Sequence, residues 1–567
     1  MRIFMLVIAI SLPLAASAAA LGSAEDPVVS ALTGEMTRTL ASWKGQDDAP
    51  YYLGYRVTDT HRIAISARYG AIGEDTDTRS RELDVSARVG TPALDSTHRL
   101  RGEYTFDSDD HSPMMLSFDA PALALRPGIW RATNDEVRAA EEGILRVRAN
   151  RQVKVAETDP SPDFSVEPPQ TSMGERAELT IDVGLWKPLL VELSRQLDRD
   201  EHIERSLVTL DAVAETRTFV TSEGTQIREG RTWYRIALEA AATATDGMDL
   251  DLYRWKDVSS ATSLPSAEAL RDWADGLVQR VLELREAPAG DPYTGPVLLH
   301  GAAAGVFVHE VMGHRLEGQR QKDEREGQTF RDKVGQLILP DFVDVVDDPT
   351  LPSYSGFDLN GHYAFDDEGQ PAARATLVDH GVLRGFLMDR SPIRGFEHSN
   401  GHGRAQEGRE PVARMANTIL ETHKPTPYAS LRKQLIDEVK RQGRPYGLVV
   451  EELAGGFTDT GRQEPNAFDI LADTVWRVYA DGRPDQLVRG VDLVGTPLVA
   501  LSHVIATGDD PAVFNGFCGA ESGMVPNAAV SPSLLISQLE LQKKEKSQER
   551  PPLLPKPATG RTASVKP

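Results

Sequence analysis

The sequence contains a single cysteine, Cys518, in 567 residues. One thiol cannot bridge to another in the same chain, so a fold held together by its own disulfides is excluded. A free cysteine is often a small buried residue with no chemical role. It can also be a metal ligand or a nucleophile, which makes Cys518 a candidate functional residue.

Positive charge is scarce as well. The chain has 62 Lys and Arg against 85 Asp and Glu, a formal net charge of -23. Proteins that bind nucleic acid neutralise phosphates with Lys and Arg, so this balance predicts no nucleic-acid partner. It also disfavours binding to anionic membrane surfaces. The remaining composition, 26% charged and 40% hydrophobic, is that of a globular protein.

Long apolar runs are absent after the first two dozen residues. There, Arg2 precedes an apolar run from Ile3 to Leu14, and small residues follow at 16–20. A membrane anchor needs about 20 apolar residues, and Pro13 with the small residues makes this run too short. We predict a signal peptide at residues 1–20, and therefore an exported, periplasmic protein without membrane insertion after signal removal.

The length and two breaks in composition predict several domains. At about 150 residues per domain, the chain holds two to four. Pro-rich stretches at 159–170 and 287–296 read as linkers or long loops. We predict an N-terminal region at 24–286, with a sub-boundary near 159–170, and a C-terminal domain at 296–541. Residues 542–567 are basic, rich in proline and poor in apolar side chains, which is typical of a disordered tail.

Helical and strand-like patterns alternate along the chain. Short runs such as 62–67 alternate like strands, whereas 134–150 has helical spacing. Ser266 is expected to cap a helix whose apolar residues follow the 3.6-residue period. Hairpin signals crowd the C-terminal half, for example at 375–387. The expected fold class is α+β: a mixed α/β N-terminal region, then a sheet-rich antiparallel domain that carries the metal-site helix.

The segment His309-Glu310-Val311-Met312-Gly313-His314 departs by one residue from a common zinc-peptidase pattern. In that pattern, histidines at i and i+4 share a helix face and the glutamate between them is a general base. With the i, i+5 spacing found here, a regular helix would leave the imidazoles about 140° apart. The helix must deform or end between them, and a π-type bulge at Gly313 would restore a shared face. Taken alone, the pattern also fits an exposed charged helix or a core histidine beside a surface glutamate.

Several further segments, in order, resemble the TldD/PmbA family of peptidases, once called modulators of DNA gyrase. The resemblance covers most of residues 296–540. The N-terminal half matches only loosely, and Ala413 stands where the family frequently has proline. The matching segments are Gly295-Pro296-Val297-Leu298-Leu299, His309 to Gly318, Asp367-Glu368-Gly369, Gly381 to Arg390, Asn400 to Arg404, Ala413 to Thr418, Cys518-Gly519 and Val525-Pro526.

The resemblance implies a zinc-dependent metallopeptidase. It implies that His309, His314 and Cys518 bind one Zn²⁺ per chain and that Glu310 is the catalytic residue, which activates the zinc-bound water. Two neutral imidazoles and one thiolate leave a fourth tetrahedral position open, as in catalytic zinc sites. The resemblance further implies a homodimer, or a heterodimer with a related subunit, that takes unfolded or flexible peptides as its substrate. Such a substrate would pair as an extended chain with sheet edges.

Three other hypotheses stay open. The chain could be a non-catalytic zinc-containing binding or assembly protein, a DNA-binding modulator, or a hydrolase with Cys518 as nucleophile. The acidic charge disfavours the second. Substrate-binding residues are not predicted, because surface, core or ion-pair roles are more common for the remaining conspicuous side chains. These side chains are His398, His402, His503, Arg404 and Arg414.

Overall fold

A computed structural model describes residues 26–46, 48–100, 113–151, 159–462, 467–544 and 556. The predicted signal peptide and most of the predicted tail lie outside these residues. Within the tail, Lys556 is described: its Nζ donates to the carbonyl oxygens of Asp198, Asp200 and Ile203 at 2.7–3.1 Å. None of the helices in the described ranges is long and apolar enough to cross a membrane.

Long antiparallel strands dominate the N-terminal region. They build an eight-stranded sheet in the order β3-β2-β1-β6-β7-β5, with β4 beside β2 and β8 beside β7. The elements are α1 (Pro27–Trp43), β1 (Pro50–Arg68), β2 (Ala71–Thr91), β3 (Leu94–Asp95), β4 (Met114–Met115), α2 (Ala122–Asn150), β5 (Thr171–Met173), α3 (Val183–Leu197), β6 (Arg205–Thr221), β7 (Gln226–Thr243), β8 (Asp249–Val258) and α4 (Ala267–Glu286), with a 3-10 turn at Ala261–Ser263.

Four helices cover this sheet and bury two separate apolar clusters. One cluster joins α1 and α2 to β1 and β2, and the other joins α3 and α4 to β6, β7 and β8. The predicted cap of α4 is confirmed, since Ser266 Oγ accepts a hydrogen bond from the backbone N–H of Ala269 at 3.2 Å. This bond satisfies one of the amides that a helix start leaves unpaired.

The C-terminal region begins with β9, seven residues after α4 ends, and is rich in sheet. Its elements are β9 (Tyr293–Leu299), α5 (Gly301–Val311), a 3-10 turn (Gly313–Leu316), α6 (Gln319–Lys322), β10 (Val343–Asp347), β11 (Ser353–Tyr354), β12 (Phe357–Asp358), β13 (Ala375–Asp379), β14 (Val382–Leu383), β15 (Gly403–Arg404), β16 (Val412–Ala413), β17 (Asn417–Thr422), β18 (Pro425–Thr426), α7 (Tyr428–Arg441), β19 (Tyr446–Thr458), β20 (Phe468–Tyr479), β21 (Gln486–Val488), β22 (Val491–Gly495), α8 (Pro497–Ser502), β23 (Val504–Gly508), β24 (Ala512–Ala520), β25 (Gly523–Ser531) and β26 (Leu534–Lys543).

Two sheets form the body of this region. One has six strands in the order β14-β13-β10-β17-β25-β24, so that β24 is an edge strand. In the other, β26 pairs with β22 and β9, and five strands, β26, β22, β20, β19 and β9, close into a barrel. Most pairings are antiparallel, while β9–β19, β17–β25 and β18–β23 are parallel. The predicted α+β fold class with a sheet-rich C-terminal region is confirmed, whereas the domain boundaries stay predictions.

Helix α5, which carries the histidine motif, lies between these two sheets. It contacts β19 and β20 of the barrel on one side and β24 and β25 of the six-stranded sheet on the other. Its side chains Val306, Phe307 and Val311 belong to the large apolar cluster of the C-terminal region. Because both sheets pack on the helix, its residues from Ala303 to Val311 are buried.

Candidate metal centre

Small residues let α5 approach the six-stranded sheet closely. A Cβ at Gly301 would lie 3.0 Å from the carbonyl oxygen of Asp510, and one at Gly305 would lie 2.9 Å from that of Ala529. Both distances are shorter than ordinary van der Waals contact, so a larger residue at either position would push the helix away. The small residues before the motif therefore set how near the histidines come to β24 and β25.

The helix ends between the two histidines instead of continuing through a bulge. Helix α5 stops at Val311, Met312 takes φ -125° and ψ -46°, and His314 stands on the following 3-10 turn. The prediction of a deformed or ended helix is confirmed, but the π-type bulge at Gly313 is wrong. Gly313 has a different role, because a Cβ there would lie only 1.9 Å from Sδ of the buried Met415. Close packing, not backbone freedom, requires glycine at this position.

Arg315 holds the broken end of α5 in place. Its Nη1 donates to the carbonyl oxygen of Glu310 at 2.8 Å and to Thr458 Oγ1 at 2.6 Å, and its Nη2 donates to the carbonyl oxygen of Asp459 at 2.9 Å. The last carbonyls of a helix have no partner within the helix. Arg315 supplies one and ties the helix end to β19.

The structure brings His309, His314 and Cys518 together. One ligand atom from each lies within 4.8 Å of the others, and all three residues are buried. Nε2 of His314 is 3.3 Å from Sγ of Cys518. The two imidazole rings are 5.1 Å apart and almost perpendicular. Cys518 comes from β24, some 200 residues after the motif, and is paired with Val525 across the β24–β25 hairpin.

The charges in this group match a bound cation. Burial raises the pKa of the Cys518 thiol, but the neighbouring His314 and His309 lower it, and the result is well below the ordinary 9.0. Burial lowers the pKa of His314, whereas Cys518 and Glu317 raise it to about 10. Both shifts favour a thiolate beside protonated imidazoles. A zinc ion would take the place of those protons, and the two nitrogens and one sulfur fit its preferred ligands.

Two further residues, absent from the sequence prediction, orient the histidines. Nδ1 of His314 lies 3.2 Å from Oε1 of Glu317, which is completely buried. Nδ1 of His309 lies 3.0 Å from the amide nitrogen Nδ2 of Asn527. For Nε2 of a ring to bind a metal, Nδ1 must carry the ring proton, which Glu317 can accept from His314. Asn527 can accept the corresponding proton of His309 only through its Oδ1, after a half-turn of its amide group. Glu317 could have been found from its position three residues after His314, but no local signal marks Asn527.

Buried arginines complete the surroundings. Arg414 donates from Nη2 to the carbonyl oxygen of Cys518 at 2.6 Å, and its Nε lies 3.4 Å from Glu317. Arg320 Nε donates to Glu317 at 2.7 Å. Burial raises the pKa of Glu317, but His314 and Arg320 lower it to about 2, so this carboxylate stays charged. Arg414, left unassigned from sequence, therefore supports the cysteine strand.

Glu310 is buried beside the group. Its Oε2 has no hydrogen-bond partner among the described residues. Its side chain packs on Gly456 of β19, where a Cβ would lie 2.8 Å from Cγ of Glu310. A buried carboxylate oxygen without a partner is costly, and a bound water or substrate group would satisfy it.

The other conspicuous histidines and Arg404 lie outside this group. His402 is fully buried between Asn400 and Asp347, so its role is structural. His398 is exposed and lies 3.3 Å from Glu167. His503 follows the end of α8. Arg404 donates to the carbonyl oxygen of Met415 and lies over the ring of Tyr363.

A second possible ligand group lies on the surface. Asp344 of β10, His380 in the turn after β13 and His423 after β17 also place one ligand atom each within 4.8 Å. The two rings stack with centroids 4.4 Å apart at 20°. A ring nitrogen binds metal in the plane of its ring, so stacked, nearly parallel rings do not aim at one ion. This group also has no glutamate comparable with Glu310.

The sequence is similar to those of known metalloproteases. Residues 292–543 match the model of the PmbA/TldA metallopeptidase C-terminal domain. A metalloprotease of Methanothermobacter thermautotrophicus is 30% identical over 328 residues, which cover 56% of this chain and 65% of that protein. A metalloprotease TldD homolog of Haemophilus influenzae is 25% identical over 377 residues, 63% of this chain and 72% of that protein.

The fold has solved counterparts. The structure of TldE from Thermococcus kodakarensis superposes with a TM-score of 0.59 and 14% identity, covering 90% of this chain and 100% of that chain. The fold similarity thus extends over the N-terminal region, where the sequence resemblance is weak. At this identity the likeness concerns the fold alone.

Proposed function

Because the chain belongs, through its C-terminal domain, to the TldD/PmbA metallopeptidase family, we propose that it is a zinc-dependent peptidase whose metal is held by His309, His314 and Cys518. The observation that carries the proposal is the convergence of these three side chains beside Glu310 in a buried site. Three protein ligands leave one tetrahedral position for water or substrate, which is the arrangement of a catalytic rather than a structural zinc.

Each residue has a defined part in the proposed reaction. A zinc ion held by the three ligands would polarise the peptide carbonyl and lower the pKa of a water molecule towards about 7. Glu310 would accept the proton of the attacking water on its unpaired Oε2 and could pass it to the leaving amine nitrogen. Glu317 would accept the Nδ1 proton of His314 and so leave Nε2 of that ring for the metal, while Asn527 fixes the orientation of the His309 ring.

The substrate, the assembly and the location are part of the proposal. The catalytic group is enclosed between sheets, so only an unfolded or flexible peptide can reach it, and the edge strand β24 offers backbone groups for pairing with an extended chain. We propose a homodimer or a heterodimer with a related subunit. The apolar start of the chain supports export to the periplasm.

Hydrolysis of an unfolded protein tests the function. The wild-type chain loaded with zinc is expected to cleave reduced, unfolded casein, to lose activity with a chelator and to regain it with zinc. Glu310→Gln should bind zinc normally yet cleave at least about 100-fold more slowly, because general-base catalysis typically contributes 10²–10⁴-fold.

The competing hypotheses give different results in the same assay. A binding or assembly protein would hold zinc without cleaving casein, and Glu310→Gln would change nothing. A cysteine hydrolase would keep its activity after chelation and lose it on thiol alkylation. Full activity of Glu310→Gln would exclude the proposed mechanism.

A further inference from the structure

A cleft lies where the N-terminal sheet meets the C-terminal region. Its cavity volume is about 320 Å³, and it is bounded by β8, by Ala302 and Ala303 of α5, by residues 451–453 of β19 and by residues 513–515 of β24. This volume is at the lower end of the range for small-ligand pockets and suits a single large side chain. No residue of the candidate metal centre lines the cleft.

Three elements run from the cleft to the metal centre. Along β24, Asn515 is three residues from Cys518, which at about 3.3 Å per strand residue is about 10 Å. Along β19, Leu453 is three residues from Gly456, which contacts Glu310, but the pairing with β20 is irregular between Leu453 and Gly455, so this span is shorter. Along α5, Ala303 is seven residues from Glu310, again about 10 Å at 1.5 Å per helical residue. An extended peptide covers this distance in three residues.

Aromatic side chains form the walls of the cleft. Trp255 donates from Nε1 to the carbonyl oxygen of Asn515 at 2.9 Å, so its ring is fixed on the strand that carries Cys518. It packs edge-on against Phe514 at 5.2 Å and stacks on Tyr253 at 5.1 Å. Tyr253 and Phe357, in contrast, remain 42% and 50% exposed. Large aromatic surfaces left open beside a candidate active site mark a binding surface.

The charges around the cleft are largely satisfied within the protein. Arg254 lies 3.6 Å from Glu452, and Arg280 lies 3.5 Å from Glu451. Asp257 accepts two hydrogen bonds from Arg235 at 2.6 Å. One lysine and one aspartate, Lys256 and Asp473, remain. Burial and the neighbouring Glu452 raise the pKa of Asp473 to about 7, so its charge offsets that of Lys256 only in part at neutral pH. The cleft therefore offers little net charge to a ligand, and its attraction is mainly aromatic and apolar.

From this placement we propose that the cleft binds an aromatic side chain of the peptide substrate, three residues from the bond that is cleaved. The proposal rests on the proposed peptidase function and adds a sequence preference to it. An aromatic ring entering between Tyr253, Phe357 and Trp255 would bury apolar surface and gain edge-to-face contacts. It would fix the register of an otherwise unspecific extended chain.

Cleavage mapping tests the register. A host peptide of Gly, Ser and Ala carries one Phe, which is moved two positions at a time, and the products of wild-type digestion are identified by mass spectrometry. The cut is expected to move with the Phe and to stay three residues from it. The Phe peptides should be cleaved about 10-fold faster, or more, than the all-aliphatic host. Cleavage at sites that do not depend on the position of Phe would overturn the proposal while leaving the peptidase function intact.

Binding separates this inference from catalysis. Glu310→Gln loaded with zinc should bind the Phe peptide about 10-fold more tightly than its Ala counterpart, measured by calorimetry. Phe357→Ala and Tyr253→Ala, made in the Glu310→Gln chain, should remove that difference. Tyr69→Ala, at an exposed site outside the cleft, should preserve it. Equal binding of the two peptides would overturn the inference, whether or not the wild type cleaves any peptide. Absence of cleavage by the wild type would count separately against the peptidase function.

Discussion

Among the described residues, two groups of potential metal ligands occur in the C-terminal region; each contains two histidines, but they differ in the third ligand, in burial and in their surroundings. His309, His314 and Cys518 are buried between two sheets. Asp344, His380 and His423 lie on the surface, where β10 begins and β17 ends. The side chains of His380 and His423 are 64% and 45% exposed. Proximity of ligand atoms is common to both, so proximity alone does not define a metal centre.

The difference lies in what surrounds the ligands. In the buried group, Nδ1 of His309 contacts Asn527 and Nδ1 of His314 contacts Glu317. Glu310, the proposed general base, lies next to the ligands. In the surface group, the rings stack on each other and each contacts a carboxylate directly. Preorganised partners make a ligand set specific, whereas exposed side chains must first be ordered by the ion.

Loss of a ligand should separate the two groups most clearly. Cys518→Ala removes the thiolate, and we expect the chain to lose tightly bound zinc, with a loss of affinity beyond the roughly 10–100-fold effect of outer-shell changes. Asp344→Asn, the matched change in the surface group, should retain one tightly bound equivalent. Metal content after dialysis measures both. Retention of zinc by Cys518→Ala, with loss in Asp344→Asn, would reverse the assignment.

Substitution of Asn527, which contacts Nδ1 of His309, should have an intermediate effect on zinc affinity. Asn527→Leu removes the side-chain amide that contacts Nδ1 of His309, and zinc affinity should fall about 10–100-fold. Asn527→Asp places a carboxylate oxygen, which can accept the Nδ1 proton, beside the ring and should retain affinity near that of the wild type. Competition with a chromophoric chelator measures these affinities. Identical behaviour of the two variants would show that Asn527 does not set the ring orientation.

In the surface group, we expect a substitution near His380 to change the pKa of that histidine. The hydrogen bond to Asp379, assisted by the charge of Asp344, raises the pKa of the exposed His380 above the ordinary 6.5. The protonated ring is favoured in the folded chain, so this contribution is complete below pH 6.5 and is lost as the pH rises through the raised pKa. Asp379→Asn should lower the pKa measured by NMR titration, with peptidase activity unchanged. An unaltered titration would contradict this view of the pair.

The three candidate ligands could be named from the sequence and its family resemblance, but the shape of the site could not be predicted. The histidine spacing alone required the helix to deform or end, because a regular helix separates residues five apart. Two features of the site depend on Met415: the end of the helix and the requirement for glycine at position 313. Met415 lies 102 residues further along the chain and reaches Gly313 only in the folded state. Asn527 was missed for the same reason, since it meets His309 only through the β24–β25 hairpin.

The N-terminal strands show a similar limit. Alternation predicted short strand-like runs such as 62–67, whereas β1 and β2 extend over 19 and 21 residues. Residues 71–79 of β2 are exposed and 74–79 are all polar, so no hydrophobic alternation marks them. Their strand conformation comes from continuous backbone pairing with β1. A strand with one buried face can be recognised from the period of its apolar residues. A strand that is held by pairing with a distant segment leaves little signal in the sequence.

The environment of the bound metal gives a decisive measurement. X-ray absorption at the zinc edge of the wild-type chain, loaded with one equivalent, should show two nitrogen ligands at about 2.0–2.1 Å and one sulfur at about 2.3 Å. The sulfur should disappear in Cys518→Ala. Zinc surrounded only by nitrogen and oxygen in the wild type would place the ion elsewhere and contradict the assignment of His309, His314 and Cys518.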